Sequence, residues 1–190
     1  MTDDWRQAWA PVIESIGVEL HDEPPRYGPD RIEAGAVRRY LEPLEFDCAL
    51  HYDADVARAH GHADIVAPCT SLLTFATGPL WEPGQTVFVG AERDAQPARS
   101  TLRPRMPQGA PPVSAFFATE TDIEYLRPVL VGERLGRRGN RLLSCEPKET
   151  RVGRGAFVVI ESEIVDEAGE AVARIRAGLY LYNPHTAAGS

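Results

Sequence analysis

Lysine is nearly missing from this 190-residue chain. Lys148 is the only one among 20 basic residues, and 28 acidic residues leave a formal net charge of -8. Such a chain lacks the positive field that phosphate backbones require, so nucleic acid is excluded as the expected partner. Only three cysteines are present, Cys48, Cys69 and Cys145, scattered and without CxxC spacing. That pattern offers neither a disulfide framework nor a structural zinc site. No apolar run approaches the roughly 20 residues a membrane helix needs. The N-terminus, MTDDWRQAW, is acidic where a secretory signal is basic. The expectation is a cytoplasmic protein with no membrane segment. A hydrophobic fraction of 43% supports an ordinary globular core, and the length predicts one domain over residues 1–190.

What the chain does contain is a change of periodicity. Trp5, Trp9, Val12, Ile13 and Ile16 recur at spacings of three and four, the stripe of an N-terminal helix that Thr2 or Asp3 can cap. Pro11 interrupts it. Val18-Glu19-Leu20 reads as a short edge strand. Arg31 to Leu41 reads as a second helix, with Ile32, Ala36, Val37 and Tyr40 on one face. Asp53 caps a turn of helix, Ala54 to His60, which Gly61 closes. Pro68 then opens a helix that Leu72, Leu73, Phe75 and Ala76 make apolar on most sides, hence buried. Gly78-Pro79 ends it.

Residues 79 to about 113 are irregular and rich in proline, and they carry Arg93, Arg99, Arg103 and Arg105. They read either as a positive flap over an anionic ligand or as a solvated loop. From Ser114 the pattern alternates, giving strands over 116–126, 134–145, 156–166 and 171–182, with a hairpin turn at Glu167-Ala168-Gly169-Glu170. Four consecutive antiparallel strands after one buried helix predict an α+β meander wrapped on that helix.

The chemistry concentrates between the two halves. Asp47, Cys48, His51 and Asp53 fall within seven positions, just upstream of the apolar helix. His51-Tyr52-Asp53, Ala57, Gly61 and Ile65-Val66-Ala67-Pro68-Cys69 follow in order, and Ile123-Glu124-Tyr125-Leu126-Arg127-Pro128 with Gly132-Glu133-Arg134-Leu135 comes later. This series resembles the hot-dog-fold MaoC-like dehydratases and (R)-specific enoyl-CoA hydratases. The Ile-Val-Ala-Pro variant is similar to their FAS1-like branch.

The resemblance implies a long antiparallel sheet around a central helix, and hydration or dehydration of a 2-enoyl thioester without metal or redox cofactor. It implies His51 as the catalytic histidine and Asp47 as its acid. Asp47 stands four residues before His51 where the family spacing is five, and Phe46 occupies the family's position. The backbone amides of Cys69 and Thr70 correspond to the thioester-binding helix start. Tyr40 is a candidate for the acyl pocket. Arg127 is a candidate either for substrate phosphate or for pairing with Glu124 or Glu133. Acyl-CoA is the expected ligand, and an open sheet edge predicts a homodimer or a heterodimer with a second hot-dog subunit. Two other roles remain open: a non-catalytic acyl-binding subunit of a heteromer, and a hot-dog thioesterase.

Overall fold

In the computed structural model, residues 5–20, 24–88, 90, 106 and 109–185 are described. Five strands form one antiparallel sheet: β1 (Arg26–Tyr27), β2 (Ala115–Tyr125), β3 (Gly136–Thr150), β4 (Gly153–Val165) and β5 (Ala171–Pro184). Alternation dictates the three long central members. In β4, Ala156, Val158, Ile160 and Ile164 are buried while Phe157, Val159, Glu161 and Glu163 take the other face.

The strand order is β1-β3-β4-β5-β2, so the expected simple meander is corrected at one strand. β2 pairs with β5, from Ala115 opposite Tyr182 to Tyr125 opposite Ala173, and lies at the far edge from β1. The connection from β2 to β3 explains the jump. Its segment Val129–Val131 gives its backbone hydrogen bonds to Ile65–Ala67 and crosses the sheet's concave side before β3 begins.

Among the described residues there are four short helices, α1 (Ala10–Glu14), α2 (Ala34–Leu41), α3 (Ala54–Ala59) and α4 (Leu72–Ala76), and α1, α2 and α4 pack on that side. α4 extends a 3-10 turn over Cys69–Ser71. Pro68 precedes that turn rather than opening it, and Thr77 turns extended after Ala76. The central helix is therefore eight residues long, shorter than its apolar pattern suggests. Its C-terminal end abuts Gly28, a buried glycine whose position leaves the Phe75 carbonyl no room for a Cβ.

A helix this short covers only half of the concave face. Ile32, Val37, Leu41, Leu72, Ala76, Leu135 and Ile164 make one apolar cluster under α2 and α4. The other half is filled from the N-terminus, where Trp9 and Val12 pack on Leu142, Ala156, Val158, Ile160 and Leu181. The N-terminal stripe is narrower than predicted, since Ile13 and Ile16 stay exposed. Pro11 is accommodated in the first turn of α1, after a separate 3-10 turn at Gln7–Trp9. Val18–Leu20 contributes only a single bridge, Glu19 to Arg141. α2 starts at Ala34, three residues later than read from sequence. The caps Thr2 and Asp3 and the loop arginines Arg93, Arg99, Arg103 and Arg105 lie outside the described residues. Among the described residues, no helix is long and apolar enough to cross a membrane.

Candidate functional site

The backbone around His51 is built from two interlocked turns. Ala49–His51 forms a 3-10 turn, with the His51 and Tyr52 amides donating to the Cys48 and Ala49 carbonyls. Asp53 then caps α3 by accepting from the Asp55 and Val56 amides, which makes it structural rather than catalytic. Gly61 closes α3 at φ 88, a conformation glycine adopts without strain. The turn is tied to the strand-like segment before α4 twice, through Val66 N–H to the Leu50 carbonyl and through His51 Nδ1 to the Val66 carbonyl at 2.7 Å.

That second contact fixes the imidazole. A carbonyl only accepts, so Nδ1 carries the hydrogen and, in the neutral ring, Nε2 keeps the lone pair. His51 is half-buried with one nitrogen anchored and the other available as a base.

Asp47 is exposed, immediately before the turn, and has no hydrogen-bond or ion-pair partner among the described residues. The side chain that does meet His51 is Phe46, with ring centroids 5.7 Å apart. Tyr52 holds Phe46 in place by donating to its carbonyl at 2.6 Å. The family's acid position is thus filled by an aromatic ring, and the acid beside it is not engaged with the histidine.

At the helix start, Pro68 supplies no side-chain cap, and its carbonyl accepts from both the Ser71 amide and the Ser71 hydroxyl. Ser71 is fully buried. The Cys69 and Thr70 amides lie in the first turn, where a helix leaves its N–H groups unsatisfied, and neither has an acceptor among the described residues. Cys69 and Thr70 are both exposed.

Tyr125, at the end of β2, lies beside the Cys69 thiol and Tyr40. Partial burial, followed by these two neighbours, pushes its phenol above the ordinary value. Three separate elements therefore bring Tyr40, Cys69 and Tyr125 together at the helix start. Tyr125 was not among the residues picked from sequence, although it stands inside one of the quoted motifs.

Arg127 has a different fate. Its guanidinium donates to both Glu133 carboxylate oxygens, to Asp166 Oδ2 at 2.7 Å and to the Pro128 carbonyl. These bonds pin the 127–133 turn to the β4–β5 hairpin, and pairing with Glu133 prevails over a free cation for substrate phosphate. His60 donates from Nδ1 to the Val56 carbonyl of its own helix. Among the described residues, no group of three or more His, Cys, Asp or Glu side chains is arranged to hold a metal.

A curled antiparallel sheet around a short central helix, with a histidine turn and open amides at the helix start, defines a hot-dog α+β protein. The M. tuberculosis ChsH1-ChsH2 complex contains a chain of the same fold, superposing with a TM-score of 0.64 at 21% identity over 97% of this chain and 98% of that one. A MaoC-like dehydratase from Rhodospirillum rubrum gives a TM-score of 0.53 at 18% identity, over 90% and 94%. The sequence profile of the FAS1-like, dehydratase domain region matches residues 16–175, and the chain belongs to that family. It is also 25% identical over 179 residues to a protein of Thermomonospora curvata described as a probable enoyl-CoA hydratase alpha subunit. That match covers 94% of this chain but spans only about half (51%) of the relative.

Proposed function

We propose that this chain is a single-domain acyl-thioester hydratase or dehydratase of the cytoplasm, adding water to a 2-enoyl-CoA or removing it. The observation that carries the reading is the anchored His51. With Nδ1 held by the Val66 carbonyl, Nε2 takes a proton as the water oxygen attacks Cβ, and Asp47 orients that water. The proton is delivered to Cα as the enolate collapses. Charge developing on the thioester oxygen meets the Cys69 and Thr70 amides, where loss of one such donor costs about 3 kcal/mol. Tyr40 lines the acyl pocket beside them. The reaction needs no metal or redox cofactor, and CoA or an acyl carrier enters as part of the substrate.

A second hot-dog subunit, identical or different, completes the particle. The support is the outer edge of β2, where Phe116 and Phe117 are exposed on a strand with one side unpaired among the described residues. A second functional reading follows from Phe46, which packs on His51 where the family carries its acid. In that reading the chain binds acyl groups in a heteromer while another subunit supplies the catalytic pair. The relative named as an alpha subunit and the ChsH1-ChsH2 complex lend it support.

Incubating the purified chain with crotonyl-CoA and longer 2-enoyl-CoAs, then resolving the products, separates these roles. A 3-hydroxyacyl-CoA formed by the chain alone supports the hydratase. Product formed only with an added partner supports the subunit, and free CoA indicates hydrolysis instead.

A further inference from the structure

Strands β3, β4 and β5 carry Arg137, Arg138, Arg141, Arg154, Arg174 and Arg176. Five of them pair with carboxylates: Arg138 with Glu163, Arg141 and Arg176 with Glu161, Arg154 with Glu149, and Arg174 with Glu124. Arg137 is the exception. Its only partner among the described residues is the Ser162 hydroxyl, at 3.2 Å. It is half-buried, and burial holds its pKa below the usual guanidinium value. Arg138 and Arg174, half-buried like Arg137, have carboxylate partners, and Arg137 has none among the described residues. A guanidinium partly taken from water favours a carboxylate beside it, and here only a hydroxyl stands there.

Its position is equally specific. Along β4, Ile164 belongs to the apolar cluster under α4 and Ile160 to the cluster under α1, with buried Ser162 between them. Along β3, Leu135 and Leu142 flank Arg137 in the same way. Arg137 and Ser162 thus form a polar seam between two dry clusters. Arg26 on β1 pairs with Arg137 in the sheet register. The seam begins just past the end of α4, since Phe75 abuts Gly28 and Gly28 hydrogen-bonds to Leu135, two residues before Arg137. From Cys69 to Ala76 the helix is about 12 Å long.

We infer that Arg137 and Ser162 receive a carboxylate at the far end of the substrate's acyl chain, whose thioester lies at the Cys69 end of the helix. This rests on the thioester reading above and narrows it to dicarboxylic acyl thioesters. A carboxylate accepts the planar fork of Arg137 in two parallel bonds and one more from Ser162. A methyl terminus at the same place leaves the guanidinium without a partner.

The test titrates the full-length chain calorimetrically with octanoyl-CoA and with suberyl-CoA, the eight-carbon analogue ending in a carboxylate. The wild type binds suberyl-CoA about tenfold tighter or more. Arg137→Met binds the two alike, and its ligand-free melting temperature is no lower than wild type, because a half-buried cation without a carboxylate partner has gone. Arg137→Lys keeps a reduced preference. Equal affinity of the wild type for both thioesters overturns the inference and leaves the thioester reading standing. A preference surviving in Arg137→Met overturns it too, as does a large destabilisation of that variant, which reveals a structural counter-ion. If neither thioester binds, both readings fall.

Discussion

Gly28 and Gly35 offer the same substitution with opposite expected signs. A Cβ on Gly28 lies closer than 3.0 Å to the Phe75 carbonyl oxygen, 3.2 Å from its carbon and 3.6 Å from the Leu135 carbonyl oxygen. All three are backbone atoms, so no side-chain rotation relieves the clash, and α4 and the strand must separate. Overpacking of that kind costs up to about 3 kcal/mol, offset by roughly 0.5–1 kcal/mol from the stiffer unfolded chain. The net loss is about 2 kcal/mol, or a fall in Tm of about 4–8 °C for a chain of this size. Gly35 lies inside α2 with nothing within 4 Å of its Cβ and a helical backbone. Alanine there stabilises by about 0.5–1 kcal/mol and raises Tm by about 1–4 °C. Thermal unfolding followed by circular dichroism reads both. If Gly28→Ala melts at or above wild type, the end of the central helix is not seated on that strand, and the placement of the Arg137 seam falls with it.

Tyr180 is fully buried, and its hydroxyl lies 2.8 Å from the Gly153 carbonyl and 2.9 Å from that of Lys148. Tyr180→Phe removes the hydroxyl's buried hydrogen bond and costs about 1 kcal/mol in a urea titration; no measurable cost contradicts the bonding described. Asp166 titrates below its ordinary 3.8: burial raises it, but bonds from the Glu170 amide, Arg127 and the Ala168 amide outweigh burial. Its contribution is full above the unfolded value and is lost as pH falls through the lower folded one. Arg127→Met therefore destabilises at neutral pH, and its deficit against wild type narrows below about pH 4. Burial lifts the Cys145 thiol to about 11, whereas Cys69 is exposed. Iodoacetamide at mild alkaline pH modifies Cys69 well before Cys145 by mass spectrometry, and saturating acyl-CoA slows the Cys69 reaction. Unprotected labelling contradicts a thioester site at the helix start.

The strands were legible because alternation of buried and exposed residues is local: Ala156, Val158 and Ile160 announce β4 without reference to any neighbour. The sheet order was not. Nothing within Ala115–Tyr125 indicates β5 as its partner, and the choice depends on Val129–Val131 pairing with Ile65–Ala67. The length of α4 was overread because Thr77 breaks the helix with a side-chain bond to the Leu73 carbonyl, which leaves no trace in an apolar pattern. In the site, the cap at Asp53 followed from spacing, and the prominence of His51 from the family resemblance. The anchoring of its ring did not, because the acceptor is a backbone carbonyl 15 residues on. Arg127 was ambiguous for a similar reason: Asp166, which decides its role together with Glu133, is 39 residues away. Arg137 is one of two adjacent arginines, and only strand parity separates its place beside Ser162 from that of Arg138, which pairs with Glu163.

Hydration by wild type and His51→Ala, measured side by side on one 2-enoyl-CoA, tests the central claim most directly. With Nε2 as the base, the variant loses about 10²- to 10⁴-fold in kcat while acyl-CoA affinity changes little. Hydration by the chain alone that survives His51→Ala at the wild-type rate contradicts the account.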